Sequence, residues 1–149
     1  MKKPAHHLQV IVDASNAVLG RVASYAAKQA LLGFEIAIVH AEKAMITGRE
    51  KSISEHYLAQ RGRGGTSLKG PISPSKPEMI VKRTIRGMLP YKAGRGREAF
   101  KRIRCYAGLP PEFATAKIIS LQKDLQGSFI TVEQLSRRPR LYRGRRSPP

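Results

Sequence analysis

The stretch QVIVDASNAVLGRVASYAAKQALLGFEIAIVHA, residues 9–41, decides the fold. Its ends, QVIVD at 9–13 and EIAIVHA at 35–41, are short apolar runs rich in β-branched residues, the pattern of buried strands. Between them lies a segment of helical length. At 100° per residue Leu32, Tyr25, Val18, Val22, Ala26 and Leu19 fall within one arc, and Arg21, Ser24 and Lys28 on another side, which predicts an amphipathic helix. Asn16 is placed to cap its start and Gly33 to close its end. Strand, helix and strand in so short a space make a βαβ unit, hence a parallel sheet.

Further along, AMIT at 44–47 is a short strand candidate, residues 49–60 a helix with Ile53 and Tyr57 as its apolar pair, and KIISL at 117–121 a late strand. Residues 61–77, RGRGGTSLKGPISPSKP, carry almost no apolar periodicity and are expected to form a long loop that orders on binding. Ser75 and Glu78 have the spacing of a capping box for the helix that follows. On that helix Ile80, Val81, Thr84, Ile85, Met88 and Leu89 occupy one half of the wheel and Lys82, Arg83 and Arg86 the other, with Met79 the exception and Pro90 the stop. Residues 96–107 repeat the design: Ala99, Phe100, Ile103, Tyr106 and Ala107 share a face opposite Arg97, Lys101, Arg102 and Arg104, so a second cationic helix is expected, ended by Gly108 and Pro110.

The 149 residues suffice for one compact domain with appended segments. A single cysteine, Cys105, excludes a disulfide-built scaffold. The first apolar run stops at Asp13, too short for a secretory core, and the apolar-looking stretch 18–32 carries Arg21 and Lys28, so no membrane span is expected. The formal charge is +18, and it is local. Residues 61–104 hold thirteen basic and two acidic side chains and residues 137–149 six and none, whereas 1–60 and 105–136 are nearly neutral. The chain therefore divides into an α/β body, residues 1–136, with its basic loop and helices inserted before the last strand, and a basic C-terminal tail, residues 137–149.

A βαβ start invites an enzymatic reading, which fails on the residues that would carry it. The segment after the first strand, ASNAVLGR, lacks the glycine pattern of a dinucleotide fold, and Gly65 and Gly70 have P-loop spacing but are followed by Pro71. His6, His7, His40 and His56 show no metal-ligand spacing, so neither a metal nor another cofactor is expected. Asp13 is better placed as a turn or cap residue than as a catalytic carboxylate. Cys105, although surrounded by cations in sequence, reads as a small helix residue.

What remains is the excess of positive charge. Glu78 and Glu98 alone face Arg61, Arg63, Lys69, Lys82, Arg83, Arg86, Lys92, Arg95, Arg97, Lys101, Arg102 and Arg104, so an ordinary solvated surface of mixed sign does not account for the block. Cations spread over loops and helices, glycines permitting close approach (Gly62, Gly64, Gly65, Gly94, Gly96) and Tyr91 as a stacking ring suit folded RNA better than DNA. The tail SRRPRLYRGRRSPP brings Arg137, Arg138, Arg140, Arg143, Arg145 and Arg146, with Tyr142 as a second ring; alone it is expected to be disordered. A nuclear address is the other reading of that cluster.

DASNAVLGRVAS at 13–24, AEKAMITG at 41–48, KRTIRGMLPYKAGRG at 82–96 and YAGLPPEF at 106–113 resemble, in order and spacing, the family of large ribosomal subunit protein number thirteen in its archaeal and eukaryotic form. The resemblance implies a three-layer α/β/α domain with a small, four-stranded, mostly parallel sheet and no enzymatic role. It further implies a cytoplasmic structural constituent of the large subunit that binds large-subunit rRNA, supports assembly and touches neighbouring ribosomal proteins, with no small-molecule substrate. Residue by residue, RNA contact carries over to Lys82, Arg83, Arg86, Lys92, Arg95 and Arg97. The alternative from another class is an α/β nucleotide-dependent enzyme with a basic substrate groove, which would need a phosphate loop or convergent catalytic side chains.

Overall fold

A computed structural model of the chain describes residues 9–63, 73–114, 116–122 and 126–137. The first strand, β1 (Gln9–Asp13), pairs in parallel with β2 (Glu35–Val39) in the register Val12 to Ile38, and helix α1 (Leu19–Leu31) makes the crossover. Strand β3 (Met45–Thr47) and helix α2 (Glu50–Gly62) follow, then α3 (Pro77–Met88), α4 (Gly94–Lys101) and β4 (Ile103–Cys105). The chain closes with β5 (Ile118–Ser120), β6 (Phe129–Thr131) and α5 (Val132–Arg137). The main sheet is parallel throughout, ordered β4-β2-β1-β5, and β3 with β6 forms a separate antiparallel ribbon.

Strand alternation sorts the core onto the two faces of the sheet. Val12, Ile36, Ile38 and Ile103 share one apolar cluster with Val22, Ala23, Ala26, Ala27 and Ala30 of α1, Ile80, Val81 and Ile85 of α3 and Ala99 of α4. Ile11, Ala37 and Val39 project to the other face, where Phe113 of a short 3-10 turn covers them. Ile130, Val132 and Leu135 extend the first cluster, so the β6–α5 segment, for which the sequence pattern offers no signal, belongs to the core.

The ends of α1 show which local expectations hold. Gly33, at φ +105, lets the Gly33 N–H reach the Ala30 carbonyl (3.2 Å) and the Phe34 N–H reach that of Gln29 (3.2 Å), a Schellman closure. Asn16 does not cap the start. It sits in the left-handed region at φ +53, two residues before the N-cap Val18, which makes no side-chain cap bond. An asparagine tolerates that conformation, and the turn it makes lets Met45 N–H donate to the Ala17 carbonyl (2.9 Å), docking β3 on the entry to α1. Leu32, expected on the buried arc, is the C-cap and 64% exposed, because the chain leaves the helix there.

Other corrections concern the basic block. The Ser75–Glu78 capping box does not form: Lys76 is the N-cap of α3, without a side-chain cap bond, and Pro77 with its preset φ opens the helix instead. Met88, on the apolar half of the wheel, is 44% exposed, since it is the last residue of α3. The second cationic helix is shorter than residues 96–107: α4 ends at Lys101, and residues 103–105 pair with Ile36, Ala37 and Ile38 as β4. Edge pairing to a parallel sheet overrides helical periodicity here, and it moves Ile103, Arg104 and Cys105 from a helix face to strand positions.

Gly96 is not open to solvent as a phosphate-approach glycine. It is buried at the start of α4, and a Cβ built there would lie 2.1 Å from the Pro90 carbonyl oxygen and 3.0 Å from the Tyr91 nitrogen. Only a glycine lets α4 fold back so closely on the Leu89–Tyr91 elbow. Cys105 occupies β4, and burial pushes its thiol up to about 12, with nearby Lys82 opposing weakly.

Two measurements check these points. Gly96→Ala is expected to cost about 2–3 kcal/mol and to lower Tm by roughly 10 °C, while Gly94→Ala, whose Cβ meets nothing within 4 Å, leaves Tm unchanged or slightly raised. Because the folded thiol titrates near 12 against an ordinary 9.0, iodoacetamide at pH 8 should alkylate Cys105 on the order of a thousandfold more slowly in the native chain than in urea.

Candidate nucleic-acid interface

The basic block of the folded chain is an elbow between two helices. The apolar face of α3, Ile80, Val81 and Ile85, continued by Leu89 just past its end, is buried against the core, and this orients Arg86 outward. Residues 90–95 turn over an exposed surface that bears Lys92 and Arg95, and α4 then presents Arg97 and Lys101. Arg104 is exposed on β4, on the strand position between inward-facing Ile103 and the half-buried Cys105. Arg63 is exposed just beyond the end of α2.

Cations and aromatic rings interleave along this elbow. The Lys82 ammonium lies 5.3 Å from the centroid of Phe100, the Arg86 guanidinium 5.4 Å from that of Tyr91, and the two rings meet edge to face at 5.4 Å. Each such contact fixes a cation by ring-quadrupole attraction without neutralising it. Tyr91 remains 41% exposed, as its expected role as a stacking ring requires. Arg97 also donates to the Lys92 carbonyl (3.3 Å), which stiffens the turn.

The remaining sequence candidates separate by environment. Arg83 is half-buried, and Arg102, also half-buried, donates to the Ala30 carbonyl at the end of α1 (3.4 Å), where a cation complements the helix dipole. Arg61 is 2% exposed, and burial pulls its pKa below the ordinary arginine value, so it stands apart from the solvent-facing series. Sequence periodicity missed this because α2 runs on past Gln60, the end expected for it, and carries Arg61 inward in its last turn. Arg137 pairs with Glu133 one turn earlier (2.6 Å) at the end of α5. Lys69, Arg138, Arg140, Arg143, Arg145 and Arg146, with Tyr142, lie outside the described residues.

The carboxyl ends of the parallel strands are where an α/β enzyme would place its chemistry, at the switch point between β1 and β5. Asp13 there accepts a hydrogen bond from the Ser15 N–H (2.8 Å), an Asx turn that shapes the β1–α1 connection. In the 3-10 turn after β2, Glu42 accepts from the Gly108 N–H (2.9 Å) and lies 3.5 Å from His40 Nδ1. Both carboxylates hold backbone in place, and no glycine loop follows β1. Among the described residues no group of three His, Cys, Asp or Glu side chains is arranged to hold a metal ion, and no helix is long and apolar enough to cross a membrane.

Residues 7–112 match the family model described as Ribosomal protein L13. A protein of Methanopyrus kandleri named large ribosomal subunit protein uL13 is 52% identical over 100 residues, a match covering 67% of this chain and 62%, less than two thirds, of that protein. Proteins of the same name from Natronomonas pharaonis (51% identical, covering 85% of this chain and 88% of the relative) and Methanococcoides burtonii (38%, covering 85% and 94%) are also similar. The chain belongs to the ribosomal protein L13 family, whose members are structural proteins of the ribosome and not enzymes.

Proposed function

We propose that this chain is a structural constituent of the large ribosomal subunit in the cytoplasm, that it binds large-subunit rRNA, and that it supports assembly of that subunit. The observation that carries the reading is the outward series Arg86, Lys92, Arg95, Arg97, Lys101 and Arg104, set on a buried apolar frame with only Glu78 and Glu98 as acidic residues in the block. Such a surface gains free energy by releasing condensed counterions from phosphates, whichever bases they carry. Lys82 and Arg102, partly withdrawn, supply field and alignment more than direct contact. Arg63, Lys69 and the arginines of residues 137–149 add further cations for phosphate contact. Leu109 and Phe129, both more than 40% exposed, are suited to contact neighbouring ribosomal proteins.

The test is the salt dependence of binding to archaeal large-subunit rRNA. Replacing Arg86, Lys92, Arg95 and Arg97 together by Gln is expected to weaken binding and to flatten the plot of log affinity against log salt by about 2–3 units, near 0.7 for each phosphate that is no longer neutralised. An unchanged slope with a folded variant would remove this elbow from the interface.

A further inference from the structure

Between α2 and α3 lies a cleft of about 240 Å³, closed on one side by Ser73 and Pro74. We propose that this cleft receives a single unstacked nucleotide of the bound RNA, the base lodged beside Tyr57 and its phosphate held by Arg83. The proposal rests on the RNA-binding reading above and goes beyond it, because it assigns a base-accepting site to residues outside the phosphate-facing elbow.

Size is the first argument. The volume is below the roughly 300–1,000 Å³ of sites for drug-sized ligands, so it suits one base and not a dinucleotide. Chemistry is the second. The floor is apolar, from Ile80, which is 3% exposed. Tyr57 is half-buried with His56 edge-on to it at 6.0 Å, which provides flat ring surface of the kind on which splayed-out bases stack. Around that surface stand groups able to read a base edge. Gln60 is 2.7 Å from His56 through their Nε2 atoms, which leaves its amide oxygen available. Thr84 donates its proton to the Ile80 carbonyl (3.1 Å) and keeps its hydroxyl oxygen as an acceptor.

Charge is the third argument. Among the described residues no carboxylate lines the cleft, and Arg83 does. The Tyr57 hydroxyl feels both Arg61 and Arg83, whose positive charge works against the upward push of burial on its pKa. A cationic cleft with ring walls favours an anionic, planar ligand over an apolar side chain of a protein neighbour. Position is the fourth: Arg83 and the outward Arg86 are three residues apart on α3 and therefore on adjacent turns of one helix surface, so a strand crossing the elbow passes the mouth of the cleft.

The experiment uses the full chain, archaeal large-subunit rRNA and two substitutions, Tyr57→Leu and Gln60→Ala, with affinity measured across a salt series and ultraviolet cross-links mapped to peptides. Removing ring or amide should lower affinity about tenfold for Tyr57→Leu, less for Gln60→Ala, with the salt slope kept, since every phosphate keeps its cation. Cross-links should join Tyr57 or His56 to one nucleotide. Gln60 is at the rim, so its variant decides the matter where Tyr57→Leu lowers folding stability. Wild-type affinity in both variants, or cross-links everywhere except residues 56–60, overturns the proposal while leaving the elbow intact. A loss seen only when other ribosomal proteins are present also overturns it, in favour of a protein occupant. A wild-type chain that does not bind the rRNA even at low salt overturns the RNA-binding reading itself.

Discussion

The structure depends on the seam between α1 and α3. Helix α1 offers Ala23, Ala26, Ala27 and Ala30, and these small side chains let the branched residues Ile80, Val81 and Ile85 of α3 approach closely over the sheet. Full burial of each such branched side chain contributes about 1.5–3 kcal/mol. Opposing this is the mutual repulsion of thirteen cations placed within 44 residues with two acidic partners. The basic helices are held to the body chiefly by apolar area, so their apolar faces must be continuous where the charge is densest. The burial of Ile80, Val81, Ile85, Leu89, Ala99 and Ile103 through this block meets that requirement.

A second constraint turns that frame into a presenting surface. The contact of Gly96 with the Pro90 carbonyl folds α4 back against the end of α3, so that cations from two helices and their connection share one elbow. The Lys82–Phe100 and Arg86–Tyr91 contacts then set the directions of individual charges. Under the function proposed above, the partner of this arrangement brings the dense negative charge that the block itself lacks.

Much of the architecture is legible in the sequence because it is written in apolar periodicity. QVIVD and EIAIV become adjacent parallel strands, the intervening segment becomes α1, and KIISL contributes β5. Periodicity fails where tertiary contacts decide. Ile103 and Cys105 lie on a helical face in the sequence, yet an open sheet edge beside β2 draws them into β4. Arg61 looks like one more surface cation until α2 continues through it into the interior. The glycines of KAGRG look alike in sequence, and only the packed elbow shows that Gly94 is replaceable and Gly96 is not. The cleft beside Tyr57 has no sequence signal at all, because its lining comes from three separated segments.

The most direct test of the central claim is the structure of the large subunit that contains this chain. The account predicts phosphate oxygens within salt-bridge distance of the guanidinium and ammonium groups of Arg86, Lys92, Arg95, Arg97, Lys101 and Arg104. An elbow facing open solvent, or packed against another protein with no nucleotide beside these groups, would contradict it.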